Sequence, residues 1–206
     1  MKDNIFIALE GIDGSGKSTQ AKMLAQKLQE NGNKVYSTFE PTTGPIGTMI
    51  RSVLRGELKM DERVIAGLFV ADRLDHLLNK ENGILLKLEQ GYTVITDRYY
   101  FSSYAYHGTH MDMDWVIASN AMSAQLLRPD ITLFIDVAPE VSMLRLQERN
   151  EKIEIYETLE NLRNVRTKYM EAFERLGNEE HIVLIEGNRS LEAISHDLYN
   201  HAAKLL

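Results

Sequence analysis

Eight consecutive residues near the N-terminus carry chemistry that their spacing alone defines. Gly11-Ile12-Asp13-Gly14-Ser15-Gly16-Lys17-Ser18 matches the pattern G-x-x-x-x-G-K-[ST] at every fixed position. Glycines let the backbone curl so that successive N–H groups point inward at phosphate oxygens. A helix opening at Lys17 adds the partial positive charge of its N-terminus. Lys17 can reach the β- and γ-phosphates of a nucleoside triphosphate, and Ser18 can ligate Mg²⁺. The loop specifies the donor and leaves the acceptor open: water, a protein, a sugar hydroxyl or a nucleotide phosphate.

Three further segments combine polar residues in ways that suit a second anion. Phe39-Glu40-Pro41 opens a loop that leads to Arg51. Phe69 and Arg73 lie four residues apart in a helical stretch, so they share one helix face. There an aromatic ring can stack on a base while the arginine bonds its edge or a phosphate. Asp97-Arg98 follows an apolar, β-branched run. A carboxylate there can hold Mg²⁺ through water, and the adjacent arginine can bind a phosphate.

These residues need a scaffold, and the hydrophobic pattern supplies one. Short apolar runs at Ile5–Leu9, Val35–Phe39, Tyr92–Thr96, Ile131–Val137 and Ile182–Ile185 read as strands. Between them, helical patterns run over 17–30, 46–55, 61–79, 83–90, 113–127, 139–149, 156–176 and 191–206. Tyr106 falls in a turn after Asp97-Arg98-Tyr99 on this reading. Strands alternating with helices predict an α/β fold with a parallel sheet covered on both faces. In such sheets ligands gather beyond the carboxyl ends of the strands. Glu40 and Asp97-Arg98 both fall there, on the same edge as the phosphate loop.

Composition narrows the class. At 206 residues, with 44% hydrophobic and 26% charged residues, the chain is expected to form one globular domain. The absence of cysteine excludes a disulfide scaffold, a cysteine nucleophile and a thiolate zinc site. None of the six histidines has metal-ligand spacing. A net charge of −7 argues against a general nucleic-acid binder, so no nucleic-acid partner is expected. The N-terminal apolar run is too short for a signal peptide, and no stretch reaches transmembrane length. The expectation is a cytoplasmic protein without a membrane partner.

Taken in order, the motifs resemble those of thymidylate kinases. The resemblance runs from Gly11–Gln20 through Glu40-Pro41, Leu68-Phe69-Val70-Ala71-Asp72-Arg73 and Asp97-Arg98-Tyr99-x-x-Ser102-x-x-Ala105-Tyr106. It continues into the Pro129–Val137 strand and Glu186–Glu192, so it covers nearly the whole chain. It implies a phosphate-loop kinase with a five-stranded sheet in the order 2-3-1-4-5, and an embedded lid at about 141–156. By the same resemblance, Gly11 to Thr19 hold ATP, and Gly187, Asn188 and Arg189 border its adenine. Asp97 orders Mg²⁺ and its waters. Phe69 stacks on thymine, Arg73 bonds its O4, and Arg51 and Arg98 hold the acceptor phosphate. Asp13 approaches the deoxyribose 3′-hydroxyl or the metal. Ser102 and Ser103 line the base pocket, and Tyr106 crowds the ribose 2′ position. Dimerisation through the helices at 46–55 and 61–79 is implied as well.

The chain departs from the family pattern at three positions. Phe39 stands where many members have arginine, Gly14 where one subgroup has arginine, and Ser103 where several have asparagine or threonine. With no arginine in the loop, a lid residue must supply positive charge. Arg149 is the first candidate and Arg145 the second. The activity expected is transfer of the γ-phosphoryl of Mg-ATP to dTMP. Its rivals are a deoxynucleoside kinase, with Glu40 as base, and a nucleotide-dependent switch.

Overall fold

The computed structural model describes residues 4–148 and 154–206. In chain order its elements are β1 (Phe6–Glu10), α1 (Lys17–Glu30), β2 (Val35–Phe39), α2 (Pro45–Leu54), α3 (Glu62–Leu78), α4 (Ile84–Glu89), β3 (Thr93–Asp97), α5 (Tyr100–His107), α6 (Met113–Leu126), β4 (Ile131–Asp136), α7 (Pro139–Glu148), α8 (Leu159–Leu176), β5 (Ile182–Glu186) and α9 (Leu191–Ala203). The strands form one parallel sheet in the order β2-β3-β1-β4-β5, as expected.

Burial along each strand follows its place in that order. β1 is central and buried at every residue, whereas the edge strands β2 and β5 are mostly half-buried or exposed. A strand covered on both faces must be apolar throughout. Side chains alternate across β1. Phe6 and Ala8 join a cluster with α5 and α8, while Ile5, Ile7 and Leu9 pack against Leu24 and Leu28 of α1 and Ile194 and Leu198 of α9. The loops that follow β1, β2 and β3 therefore emerge together at one sheet edge.

Two expectations are corrected. Tyr100–His107 is a helix, so Tyr106 lies in α5 and not in a turn. Every residue of α5 is buried, so the segment has no polar face and gives no 3.6-residue pattern. Its rings pack on Phe173 of α8 and on each other, with Phe101–Phe173 centroids 5.1 Å apart. Each large side chain so buried contributes about 1.5–3 kcal/mol. The helix expected from Tyr156 starts at Leu159, where Thr158 accepts a hydrogen bond from Asn161 N and caps it. In the first turn of α6, Trp115 is exposed.

Candidate active site

β1 ends at Glu10 and the chain curls through residues 11–16 into α1. Gly11, Gly14 and Gly16 all have positive φ. At Gly14 (φ +80°) a Cβ would come within 2.5 Å of Ser142 O on α7. Helix α7 therefore leaves no room for any side chain at this position, arginine included. Lys17 is buried inside the loop, and its Nζ donates to Ile12 O at 2.9 Å. Burial, and after it the charge of Arg98, brings the Lys17 pKa down to about 8.

Ser18 Oγ donates to Asp97 Oδ2 at 2.5 Å. The other oxygen, Asp97 Oδ1, is buried and lacks a hydrogen-bond partner. A hydroxyl and a carboxylate with an unsatisfied oxygen, beside a phosphate loop, suit a hard dication that completes its shell with phosphate and water. Among the described residues no cluster of three or more His, Asp or Glu could hold a metal, so such an ion depends on oxygens from the nucleotide.

Two cavities meet at this edge. The larger, of 970 Å³, is lined by Asp13 to Thr19 of the loop, by Asp97 and Arg98, and by Arg145 and Arg189. Arg145 Nη2 lies 3.3 Å from Gly187 O and its Nη1 3.5 Å from Ser15 O, so α7 lays this arginine against the loop. Arg149 lies outside the described residues. Gly187 N donates to Asp136 O at 2.8 Å, and Asn188 Oδ1 accepts from Ala138 N at 3.2 Å. The segment 187–189 is thereby tied to β4 and the start of α7.

The smaller cavity, of 210 Å³, is lined by Asp13, Pro41, Arg51, Phe69, Arg98, Ser102, Ser103 and Tyr106, eight residues that the motifs had singled out for the acceptor. It also takes in Phe39, Leu54, His107, Glu154 and Tyr156. Asp13, Phe39 and Arg98 line both cavities. At the junction the Arg98 guanidinium pairs with Asp13, Tyr106 OH donates to Asp13 Oδ2 at 2.7 Å, and Arg98 lies over the Tyr106 ring at 4.9 Å. Arg98 has φ 75°, the left-handed region that a side chain of this size rarely adopts. Such strain persists at functional sites when the surroundings enforce it. Arg51 also lines the smaller cavity, its Nη1 donating to Pro41 O at 2.8 Å.

Neither Arg73 nor Glu40 lines this cavity, although Glu40 lines the larger one. Arg73 is fully buried, and each of its five N–H groups meets a protein acceptor: Glu40 Oε2 from Nε and Nη2 (2.9 and 2.7 Å), Tyr99 O (3.1 Å), Ser103 Oγ (3.0 Å) and Asn120 Oδ1. Ser103 thus stands between Arg73 and the cavity. The second oxygen of Glu40 faces His76 Nδ1 at 3.1 Å. Burial acts to raise the Glu40 pKa, but the Arg73 charge and the hydrogen bonds outweigh it and hold the carboxyl below its ordinary value. Breaking a buried pair of this kind by removing one partner typically costs about 3–5 kcal/mol.

Sequence reasoning missed several residues. His107 packs on Phe69 with ring centroids 5.0 Å apart, and burial, with the nearby Arg73 and His110 charges, lowers its pKa to about 3, so the ring is neutral. Nothing in its spacing points to the cavity. Phe39 departs from the family pattern in sequence, and only the fold places it between the two cavities. Glu10 left a signal, since it is a carboxylate ending a buried apolar strand.

The parallel sheet, the loop at its carboxyl edge and the adjoining second cavity define a phosphate-loop nucleotide kinase. The family model for thymidylate kinase matches residues 9–198. A probable thymidylate kinase of Pyrococcus horikoshii is 36% identical over 199 residues, spanning 94% of this chain and 93% of that protein. One from Thermococcus kodakarensis is 40% identical over 179 residues, 82% and 84% of the two chains. The thymidylate kinase of Leptospira borgpetersenii is 36% identical over 165 residues, 80% and 79%. The chain belongs to the thymidylate kinase family.

Proposed function

We propose that the protein transfers the γ-phosphoryl group of Mg-ATP to dTMP, giving dTDP and ADP, in dTTP synthesis. The observation that carries this reading is the meeting of two cavities at Asp13 and Arg98, one built on the phosphate loop and the other on Phe69, Arg51 and Arg98. Backbone N–H groups of the loop and Lys17 take the donor phosphates, while 187–189 border the adenine. Ser18 and Asp97 hold Mg²⁺, which when bound neutralises charge on the β- and γ-phosphates. Phe69 stacks on the base, and Arg51 and Arg98 hold the acceptor phosphate. Tyr106, tied to Asp13, limits space at the ribose 2′ position.

The acceptor is a phosphate monoester whose second pKa is about 6. At neutral pH it is already a nucleophilic dianion and needs no general base. Alignment and charge neutralisation remain to be supplied, and the arginine-rich site supplies them. A deoxynucleoside kinase must instead deprotonate a sugar hydroxyl. Glu40, the base considered for it, has both oxygens engaged by Arg73 and His76. A switch that only hydrolyses ATP has no use for the second cavity.

A coupled assay of ADP release against a panel of nucleoside monophosphates and thymidine tests the reading. The expected result is fastest turnover with dTMP. Faster phosphorylation of thymidine would overturn it.

We also assign the protein to the cytoplasm and to a homodimer formed through α2 and α3. Among the described residues no helix is long and apolar enough to cross a membrane. Met49 on α2 and Val64 on α3 are exposed apolar side chains that such an interface would cover.

A further inference from the structure

We propose that Glu10 is a positioning residue that sets Arg98 and the start of α5 against the phosphate loop. The proposal rests on the functional reading above, in which Arg98 holds the acceptor phosphate. Glu10 is the last residue of β1 and is fully buried at the centre of the sheet. Its carboxylate has four donors. Oε1 accepts from Tyr99 N at 2.8 Å and Ser102 N at 3.2 Å, and Oε2 from Ser102 Oγ at 2.6 Å and Tyr169 OH at 2.8 Å. The first N–H groups of a helix have no partner within it. Tyr99, the N-cap of α5, makes no side-chain cap bond, so Glu10 caps this helix from the neighbouring strand.

The same contacts reach Arg98. The Ser102 hydroxyl gives its proton to Glu10 and accepts from Arg98 Nη1 at 2.9 Å. The left-handed backbone of Arg98 is bracketed by two bonds to β1, from Arg98 N to Leu9 O (2.9 Å) and from Tyr99 N to Glu10. The other end of the guanidinium is on Asp13 of the loop. Glu10 directly precedes the loop, so donor cradle and acceptor arginine are joined at both ends of one short segment. Glu10 is thus enclosed between β1, α5 and α8, where burial pushes its pKa up against its hydrogen bonds and the Arg98 charge. A merely structural carboxylate would satisfy these donors and influence stability alone.

A double-mutant cycle separates the two roles. Glu10→Gln keeps the size and removes the charge, so Ser102 and Arg98 lose their fixed orientation. A misplacement of about 1 Å at a reacting group can cost on the order of 10²-fold. Glu10→Gln is therefore expected to lower kcat for dTMP about 10- to 100-fold, with KM for ATP changed less than about threefold. In an Arg98→Ala background the same substitution should cost less than about threefold more. Equal losses in both backgrounds, or a folded Glu10→Gln protein with wild-type kcat, would overturn the proposal. If circular dichroism finds Glu10→Gln unfolded, Ser102→Ala takes its place in the cycle with the same expectation and the same failing results. The wild type distinguishes the two claims. No turnover of dTMP removes the functional reading and this proposal with it, whereas normal turnover with additive losses removes the Glu10 role alone.

Discussion

The Lys17 ammonium is enclosed by the loop that it serves, with Nζ on Ile12 O and a pKa brought down to about 8 by burial and then by Arg98. Below that pH the lysine is charged and attracts the triphosphate; above it, the charge is lost. The expected profile of kcat/KM for ATP is flat from pH 7 and falls through about pH 8. Bound phosphates favour the ammonium, so the alkaline limb of kcat should lie at higher pH. Measuring both profiles from pH 6.5 to 9.5 checks this, and coincident limbs would mean that the titrating group does not feel the nucleotide. Glu40 lies at the other extreme. Paired with Arg73 and His76, its carboxyl is held below the ordinary range, which suits a structural anchor and not a base.

At the scale of elements, α7 and the loop explain one another. Ser142 O stands where a side chain on Gly14 would go, and Arg145, one turn further along α7, reaches Ser15 O and Gly187 O. Helix α7 packs on the loop position that carries no arginine here. Phosphoryl transfer spreads negative charge over the moving oxygens, and a positioned arginine there contributes about 10³- to 10⁵-fold in rate. Loss of such a contact lowers kcat more than it raises KM. Arg145→Ala and Arg149→Ala are to be measured separately for kcat, dTMP affinity and melting temperature. At least one should lose on the order of 10²- to 10³-fold in kcat with folding and dTMP binding nearly intact. If both keep near-normal kcat, the segment is a solvated helix face and the charge comes from elsewhere.

For the whole molecule, the acidic surface and the apolar residues outside the core act at different ranges. A net charge of −7 keeps copies apart at a distance. Met49 on α2, Val64 on α3, and Trp115 and Met122 on α6 are exposed, and α3 packs against both α2 and α6. Covering them with a second copy removes apolar surface from water, at about 25 cal/mol per Å². Sedimentation equilibrium at micromolar concentration should find a dimer, and Val64→Glu should shift it toward monomer. A wild-type monomer under those conditions would remove the dimer assignment.

The amino-acid sequence by itself determined the phosphate loop, the five strands and the parallel α/β class, because these rest on local spacing: a glycine pattern and apolar runs of strand length. The resemblance to thymidylate kinases marked Phe69, Arg51 and Arg98 before their proximity was visible. Tertiary structure decided the rest. Helix α5 left no periodic trace because neighbours enclose it on every side. The buried partners of Arg73, the role of Asn120 among them, come from elements up to 47 residues apart in sequence. The carboxylate of Glu10 meets Tyr169 across 159 residues. Such contacts are set by how the sheet order brings α3, α5, α6 and α8 onto one face, and hydrogen-bond donors carry no mark in sequence of the acceptor that packing will bring them.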